Sequence, residues 1–68
     1  MIRIFYENKL HMTCGSGVEL ALERMRAGPK LYNHAYVQRS DGWYRMDGTP
    51  CLIEDVPPTI KALALLLS

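Results

Sequence analysis

Apolar and polar residues alternate near the start of the chain, and this pattern predicts a β-hairpin. The stretch IRIFYE at residues 2–7 has β-branched and aromatic residues at strand spacing. A turn at Asn8-Lys9 and a second strand over residues 10–14 complete the pair. Because both faces of this pair are partly apolar, the pattern does not fix which residues face each other.

A second alternating stretch, LYNHAYVQRSDGWYRMD at residues 31–47, predicts a central β-hairpin. It contains Asp41-Gly42, and Asp-Gly between two strand-like runs is a strong turn signal. With a two-residue loop there, one face carries Ala35, Val37, Tyr44 and Met46, a set typical of a core. The other face carries Tyr32, His34, Tyr36, Gln38, Trp43 and Arg45. A three-residue loop over residues 40–42 moves Trp43 to the first face, because a one-residue slip reverses every side chain.

Turn residues and a proline place a third strand at the edge of the sheet. Asp47-Gly48 is a further turn signal, and Cys51-Leu52-Ile53 follows it as a short strand. Pro50 cannot donate a hydrogen bond to a ladder, which favours an edge position for this strand.

The hydrophobic period changes after residue 15 and predicts a helix over residues 16–27. Ser16 and Glu19 form a capping box, and Gly28 followed by Pro29 is expected to end the helix. Apolar residues fall at positions i, i+3, i+4 and i+7, which is the pattern of one buried stripe. The stripe consists of Val18, Ala21, Leu22 and Met25.

A last helix is predicted over residues 59–67, after carboxylates and prolines that favour a helix start. Its apolar residues extend beyond one stripe to include Leu65 and Leu66, and Lys61 is its only charged residue. A helix that is apolar all round is expected to be buried on more than one side. This helix is therefore expected either to be wedged into the core or to form the seam of a homodimer.

Together these elements predict a single α+β domain that covers residues 1–68. We expect a small antiparallel sheet, the element order β-β-α-β-β-β-α and helices packed on the sheet. A chain of 68 residues buries about 60% of the surface that it exposes when unfolded, which is enough for a small core.

Composition restricts the classes of function. The net charge is +1, without a basic or acidic run, so electrostatics alone would not hold the chain to nucleic acid or to a membrane. No stretch approaches the ~18 apolar residues of a membrane span, and the opening MIRIFYENK is too polar for a signal peptide. We therefore expect a cytoplasmic protein with Cys14 and Cys51 reduced.

The residues that could carry chemistry do not form a recognisable motif. His11, Cys14, His34 and Cys51 are soft metal ligands, but they lack the paired spacing of a zinc site. Cys14 lies just before a helix start and could be a thiolate nucleophile, yet no third group that orients a base is identifiable. We expect no catalytic residue, no metal site and no cofactor.

The aromatic face of the central hairpin is the candidate binding site. Tyr, Trp and Arg are the residue types enriched at binding hot spots, so we predict a contact with a protein partner there. The predicted contact residues are Tyr32, His34, Tyr36, Trp43 and Arg45. The alternative is that a helix covers this face. Stacking of single-stranded nucleic acid on the same aromatics is less favoured, because acidic residues offset the basic ones almost one for one.

The stretch SDGWYRMDGTPCLIEDVPP, in a short chain with dense turns and no catalytic signature, resembles small bacteriophage proteins that bind and inhibit a host machine. RNA polymerase inhibitors and anti-CRISPR proteins are examples of that class. The resemblance implies a non-catalytic module that binds a larger bacterial protein or complex in the host cytoplasm. It assigns no site residue.

Overall fold

The computed structural model describes residues 1–68, apart from the side chain of Lys30. It confirms the α+β class and the antiparallel sheet, with one helix more than predicted. The strands are β1 Ile2–Tyr6, β2 Lys9–Cys14, β3 Tyr36–Arg39, β4 Gly42–Arg45 and β5 Pro50–Cys51. The helices are α1 Gly17–Arg26, α2 Pro29–His34 and α3 Pro58–Leu67, and a short 3₁₀ turn covers Ile53–Asp55.

The five strands lie in the order β2-β1-β3-β4-β5, and every neighbouring pair is antiparallel. The prediction that the strand after Asp47-Gly48 lies at the edge is confirmed, although that strand covers Pro50–Cys51 and not residues 51–53. Leu52 is only its exit, because the chain turns into the 3₁₀ segment at Ile53.

The sheet separates two hydrophobic clusters. Alternation along β1 directs Ile2 and Ile4 to one face and Phe5 to the other. The first cluster joins the sheet to α1 and α2 and contains Ile2, Ile4, Cys14, Leu20, Leu31, Ala35, Val37 and Met46. The second joins the sheet to α3 and contains Phe5, Val56, Ile60 and Ala64. Helices therefore cover both faces of the sheet.

The first hairpin turns one residue earlier than predicted. Tyr6 pairs with Lys9, so Glu7 and Asn8 form the two-residue loop. Their φ angles are 53° and 59°, as a type I′ turn requires, and such turns match the twist of the flanking strands. Asn adopts this left-handed region readily, whereas glutamate does so at a cost.

Replacing Glu7-Asn8 by Asn-Gly is expected to stabilise the protein by about 1 kcal/mol, because both new residues tolerate positive φ better. For a domain of this size that gain corresponds to a rise in Tm of roughly 4–8 °C, measurable by thermal unfolding. The same dipeptide placed at Ser40-Asp41 is the control, since neither of those residues has a positive φ. An equal rise in Tm for both variants would contradict the turn assignment.

The central hairpin keeps the predicted faces but has a different register. Arg39 pairs with Gly42, so the loop is Ser40-Asp41 and not Asp41-Gly42. Gly42 follows the loop with a φ of +145°, a conformation that L side chains rarely adopt. Each residue of β3 pairs with the residue of β4 that lies two positions before the predicted partner. Such an even displacement leaves every side chain of these two strands on its predicted face. Tyr36, Trp43 and Arg45 therefore share a face.

The prediction of a strand over residues 31–35 is wrong. Pro29 is the first residue of α2, where its fixed φ and missing N–H are favourable, and Gly28 is the N-cap of that helix. Gly28 has an ordinary φ of −78°, so it does not act as the left-handed residue that was expected to end α1. Consequently Tyr32 and His34 lie on a helix and not on the sheet.

Ser16 caps α1 as predicted, but the Glu19 side chain accepts from the Gly15 N–H and not from the Ser16 N–H, and the face that the helix buries is not the predicted one. The Glu19 N–H donates to the Ser16 Oγ at 3.4 Å. The buried positions are Leu20 and Glu23, and Arg24 donates to the main-chain carbonyl of Met46. Polar side chains can face inward here because each finds a partner, so the predicted apolar stripe is directed to solvent.

Within the chain α3 is buried on one side only, so it is not wedged into the core, while its role as a dimer seam stays a prediction. Ile60 and Ala64 are buried, whereas Leu65 and Leu66 are exposed. α3 packs on this face of the sheet as a single helical layer, which leaves its outer side exposed. Of the helices that the structure describes, none has the length and apolar character needed to cross a membrane.

Candidate protein-binding surface

The structure divides the five predicted contact residues between the two sides of the molecule. Tyr36, Trp43 and Arg45 lie on the sheet face that α3 partly covers. Tyr32 packs against the cluster under α1, and His34 is exposed at the end of α2. The five residues therefore do not form one continuous surface.

Arg45 and Tyr36 are engaged with each other. The guanidinium carbon of Arg45 lies 4.3 Å from the centre of the Tyr36 ring, a cation–π contact. The same guanidinium donates to the main-chain carbonyl of Asn33 and so ties the sheet to α2. This pair links β3, β4 and the end of α2, and one face of the Tyr36 ring is occupied by the guanidinium.

Trp43 is half-buried and forms one wall of a groove. Its ring packs on Phe5 with centroids 5.6 Å apart. The opposite wall is the side of α3, and the groove has a volume of about 240 Å³. Its lining consists of Gln38, Trp43, Ile53, Lys61, Ala64, Leu65 and Ser68. α3 thus covers Phe5 on this face, while Trp43 stays partly exposed beside it.

Exposed apolar side chains line this groove at Ile53 and Leu65, and their chain neighbours Leu52 and Leu66 are exposed as well. Leu65 and Leu66 of α3 are 77% and 83% exposed. Leu52 and Ile53, at the 3₁₀ turn, are 64% and 60% exposed. We call the groove with these four residues the α3 surface. Contiguous exposed apolar area with a concave centre is characteristic of interaction sites.

A second apolar surface lies on the opposite side of the sheet. Val18, Leu22 and Met25 are 70%, 59% and 82% exposed on the outer face of α1. We call these three residues, with the partly buried Ala21, the α1 stripe. Their i, i+3, i+4, i+7 spacing is the pattern that helices use when they dock on another apolar surface.

A buried carboxylate fixes the inner side of α1. Glu23 is 4% exposed, and its Oε2 lies 3.0 Å from His11 Nε2. Its Oε1 accepts two hydrogen bonds from Arg26, at 3.0 Å from Nε and 2.6 Å from Nη2. The hydrogen bond with His11 lowers the pKa of Glu23 most, and Arg26 lowers it further, while burial opposes both.

No sequence signal indicated this cluster. β1 and β2 change register between Ile4 and Phe5, and His11 is the extra residue on β2. Such a bulge re-aims a side chain, and here it accompanies the contact of the His11 ring with Glu23. A bulge that depends on tertiary packing cannot be read from the alternation of a single strand.

Cys14 is fully buried, and burial raises the pKa of its thiol, with a further rise from the carboxylates of Glu19 and Glu23. A thiol in that setting is a poor nucleophile. Within the side chains that the structure describes, no three His, Cys, Asp or Glu residues are grouped to hold a metal ion.

The fold and its surfaces define a small α+β domain with exposed apolar helix faces on opposite sides of a central sheet. No family model matches the chain, and no curated protein or solved structure shows significant similarity to it. Function therefore has to be inferred from the surfaces themselves.

Proposed function

We propose that this protein is a non-catalytic binding module that attaches to a larger bacterial protein through the α3 surface and occludes or remodels it. The observation that supports this most is the groove between Trp43 and α3, bordered by Leu65 and Ile53. The resemblance to phage inhibitors favours a nucleic-acid-processing machine, such as RNA polymerase or a CRISPR complex, as the target.

The lining of the groove indicates the chemistry of the partner. Trp43, Ile53 and Leu65 supply apolar walls, which suit an inserted aliphatic or aromatic side chain. Lys61 is the charged residue of the lining, so a partner carboxylate beside the inserted side chain would complete the contact. We infer an apolar anchor residue next to Asp or Glu on the partner.

The concave shape favours a different protein over a second copy at this surface. A twofold dimer brings the same patch of both subunits together, so two grooves would face each other and stay unfilled. The expected homodimer through α3 is therefore the less favoured occupant. Sedimentation of the Leu65→Glu variant tests it, because that substitution would dissociate such a dimer.

Single-stranded nucleic acid is a weaker candidate, because the aromatic rings of this face are already in contact with other side chains. Base stacking needs an open aromatic face, whereas the ring of Tyr36 is occupied by Arg45 and that of Trp43 packs on Phe5. If nucleic acid is nevertheless the ligand, labelled single strands will be retained at low salt and released steeply as salt rises.

The test is capture of a partner from bacterial lysate, followed by affinity measurement with the purified partner. We expect Leu65→Glu to weaken binding by about 100-fold, because it puts a charge on the wall of the groove and loses an apolar anchor. Leu65 is exposed, so the fold should tolerate the substitution. Leu22→Glu on α1 is the matched control and should bind a partner that presents a single site as the wild type does.

Two outcomes would count against this assignment. Equal affinity of the wild type and Leu65→Glu would exclude the α3 surface as the contact. Loss of binding in Leu22→Glu, with Leu65→Glu unaffected, would move the contact to α1.

A further inference from the structure

The α1 stripe is left unused by the proposed function, since it lies on the other side of the sheet from the α3 surface. Its three large side chains point away from the core and are among the most exposed apolar residues of the protein. An apolar helix face of this kind is costly to leave in water and usually contacts another surface. The charges beside the stripe indicate what that surface is.

One edge of the stripe carries a carboxylate near the start of α1 and a guanidinium near its end. Glu19 and Arg26 are both exposed and are seven residues apart, which is almost two helical turns, so they lie along the same edge. Glu19 already accepts the Gly15 N–H, and Arg26 already contacts Glu23. A guanidinium has five N–H donors and a carboxylate about four acceptor sites, so both can take an additional partner.

These two charges are complementary to themselves under a twofold axis. When two copies of α1 pack antiparallel about an axis perpendicular to the helix, each edge meets the same edge of the other copy in reverse. Glu19 of each copy then lies opposite Arg26 of the other. A parallel arrangement would instead bring this edge against the opposite edge of the other copy, so that Glu19 and Arg26 would not meet.

We propose that two copies of this protein associate through α1, packed antiparallel across a twofold axis. In this dimer the Leu22 side chains meet at the axis, and Val18 of each copy lies beside Met25 of the other. Two Glu19–Arg26 pairs flank the apolar contact. The occupant of the α1 stripe is thus a second copy of this chain.

The size of the stripe predicts a weak dimer. A ten-residue helix is about 15 Å long, so its outer face provides well below the roughly 800 Å² per partner of a standard interface. The monomer–dimer equilibrium should therefore depend on concentration within the range that sedimentation equilibrium can follow. This inference does not depend on the α3 surface, because Leu22→Glu, the variant expected to disrupt the dimer, is expected to leave the α3 contact intact.

Sedimentation equilibrium with matched leucine variants tests whether the dimer forms through α1. Leu22→Glu is expected to raise the dimer dissociation constant by at least about tenfold, because it places two carboxylates at the axis. Leu66→Glu, an equivalent change on α3, should leave the dissociation constant unchanged. A monomeric wild type, or a dimer lost only in Leu66→Glu, would overturn the proposal.

Cysteine cross-linking in a Cys51→Ser background tests the orientation. Leu22→Cys should form disulfide-linked dimers on oxidation, because the two copies of this position meet at the axis. Val18→Cys should not cross-link with itself but should do so when mixed with Met25→Cys. Efficient self-cross-linking of Val18→Cys would show parallel helices, and it would refute the arrangement inferred from Glu19 and Arg26. Circular dichroism of each variant establishes that it is folded.

Discussion

Replacing Phe5 by alanine is expected to lower the free energy of unfolding by about 3–5 kcal/mol. Phe5 is fully buried in the cluster that holds α3 on the sheet, where it contacts the ring of Trp43. Removing a buried aromatic ring loses its transfer free energy and leaves a cavity. A domain of 68 residues has a total stability of roughly 3–10 kcal/mol, so this loss is comparable to the whole.

Urea denaturation, followed by the fluorescence of the single tryptophan, measures the effect of Phe5→Ala. Trp43 is a direct reporter because it packs on the residue that is removed. Leu66→Ala is the control, since Leu66 is exposed and its truncation should change the free energy of unfolding by less than about 0.5 kcal/mol. A change of similar size in both variants would mean that α3 does not pack on Phe5.

Replacing Glu23 by glutamine is expected to cost about 3 kcal/mol at neutral pH. The substitution keeps the shape of the side chain but removes a buried charge that pairs with His11 and Arg26. The amide has one acceptor oxygen where the carboxylate has two, so it cannot accept from both partners as the carboxylate does. One of these hydrogen bonds is therefore lost, or the amide N–H becomes its donor. Urea denaturation at neutral pH gives the difference directly, with Glu54→Gln as a control at an exposed glutamate.

The stabilisation that Glu23 provides should depend on pH in a defined direction. Folding lowers its pKa from the ordinary value of 4.5, so the stabilisation is fully present above that value. It is lost as the pH falls through the lowered pKa of the folded state, because the protonated carboxyl no longer pairs as an anion. The gap in stability between wild type and Glu23→Gln should therefore narrow in acid. A gap that is the same at neutral pH and at about pH 3 would contradict a lowered pKa.

Features set by neighbouring residues could be predicted from the sequence. The Ser16 cap of α1 depends on a residue three positions away, and the edge position of β5 follows from the missing N–H of Pro50. The shared face of Tyr36, Trp43 and Arg45 was also predicted correctly, even though the turn was misplaced by one residue. Face assignment depends only on whether the shift in pairing is odd or even, and here it is even.

Features set by distant contacts could not be predicted. Gly28-Pro29 is compatible with the end of one helix and with the start of another, and only the burial of Leu31 in the first cluster shows that α2 forms. The outward direction of the α1 stripe depends on the pairing of Glu23 with His11, a residue on another element. An apolar stripe is otherwise expected to face inward.

The candidate surface was predicted only in part, because it is assembled from three separate segments. Trp43 was identified from its residue type, whereas its partners in the groove come from the 3₁₀ turn and from α3. Ile53 and Leu65 are ordinary aliphatic residues, and nothing in their local sequence separates a groove wall from a core position. They are exposed because each face of the sheet is covered by one layer of helices, and the local sequence does not encode the number of layers.

The placement of α1 and α3 on opposite faces of one sheet gives the domain two separate exposed apolar surfaces on opposite sides. Two copies joined through α1 would carry their α3 surfaces at the far ends of the pair, facing away from each other. Such an object can bridge two target molecules, or hold two sites of one oligomeric target with an avidity up to 10²–10⁴ times the affinity of a single site. The dissociation constant of the α1 contact would then determine how tightly the protein holds a target that offers two sites.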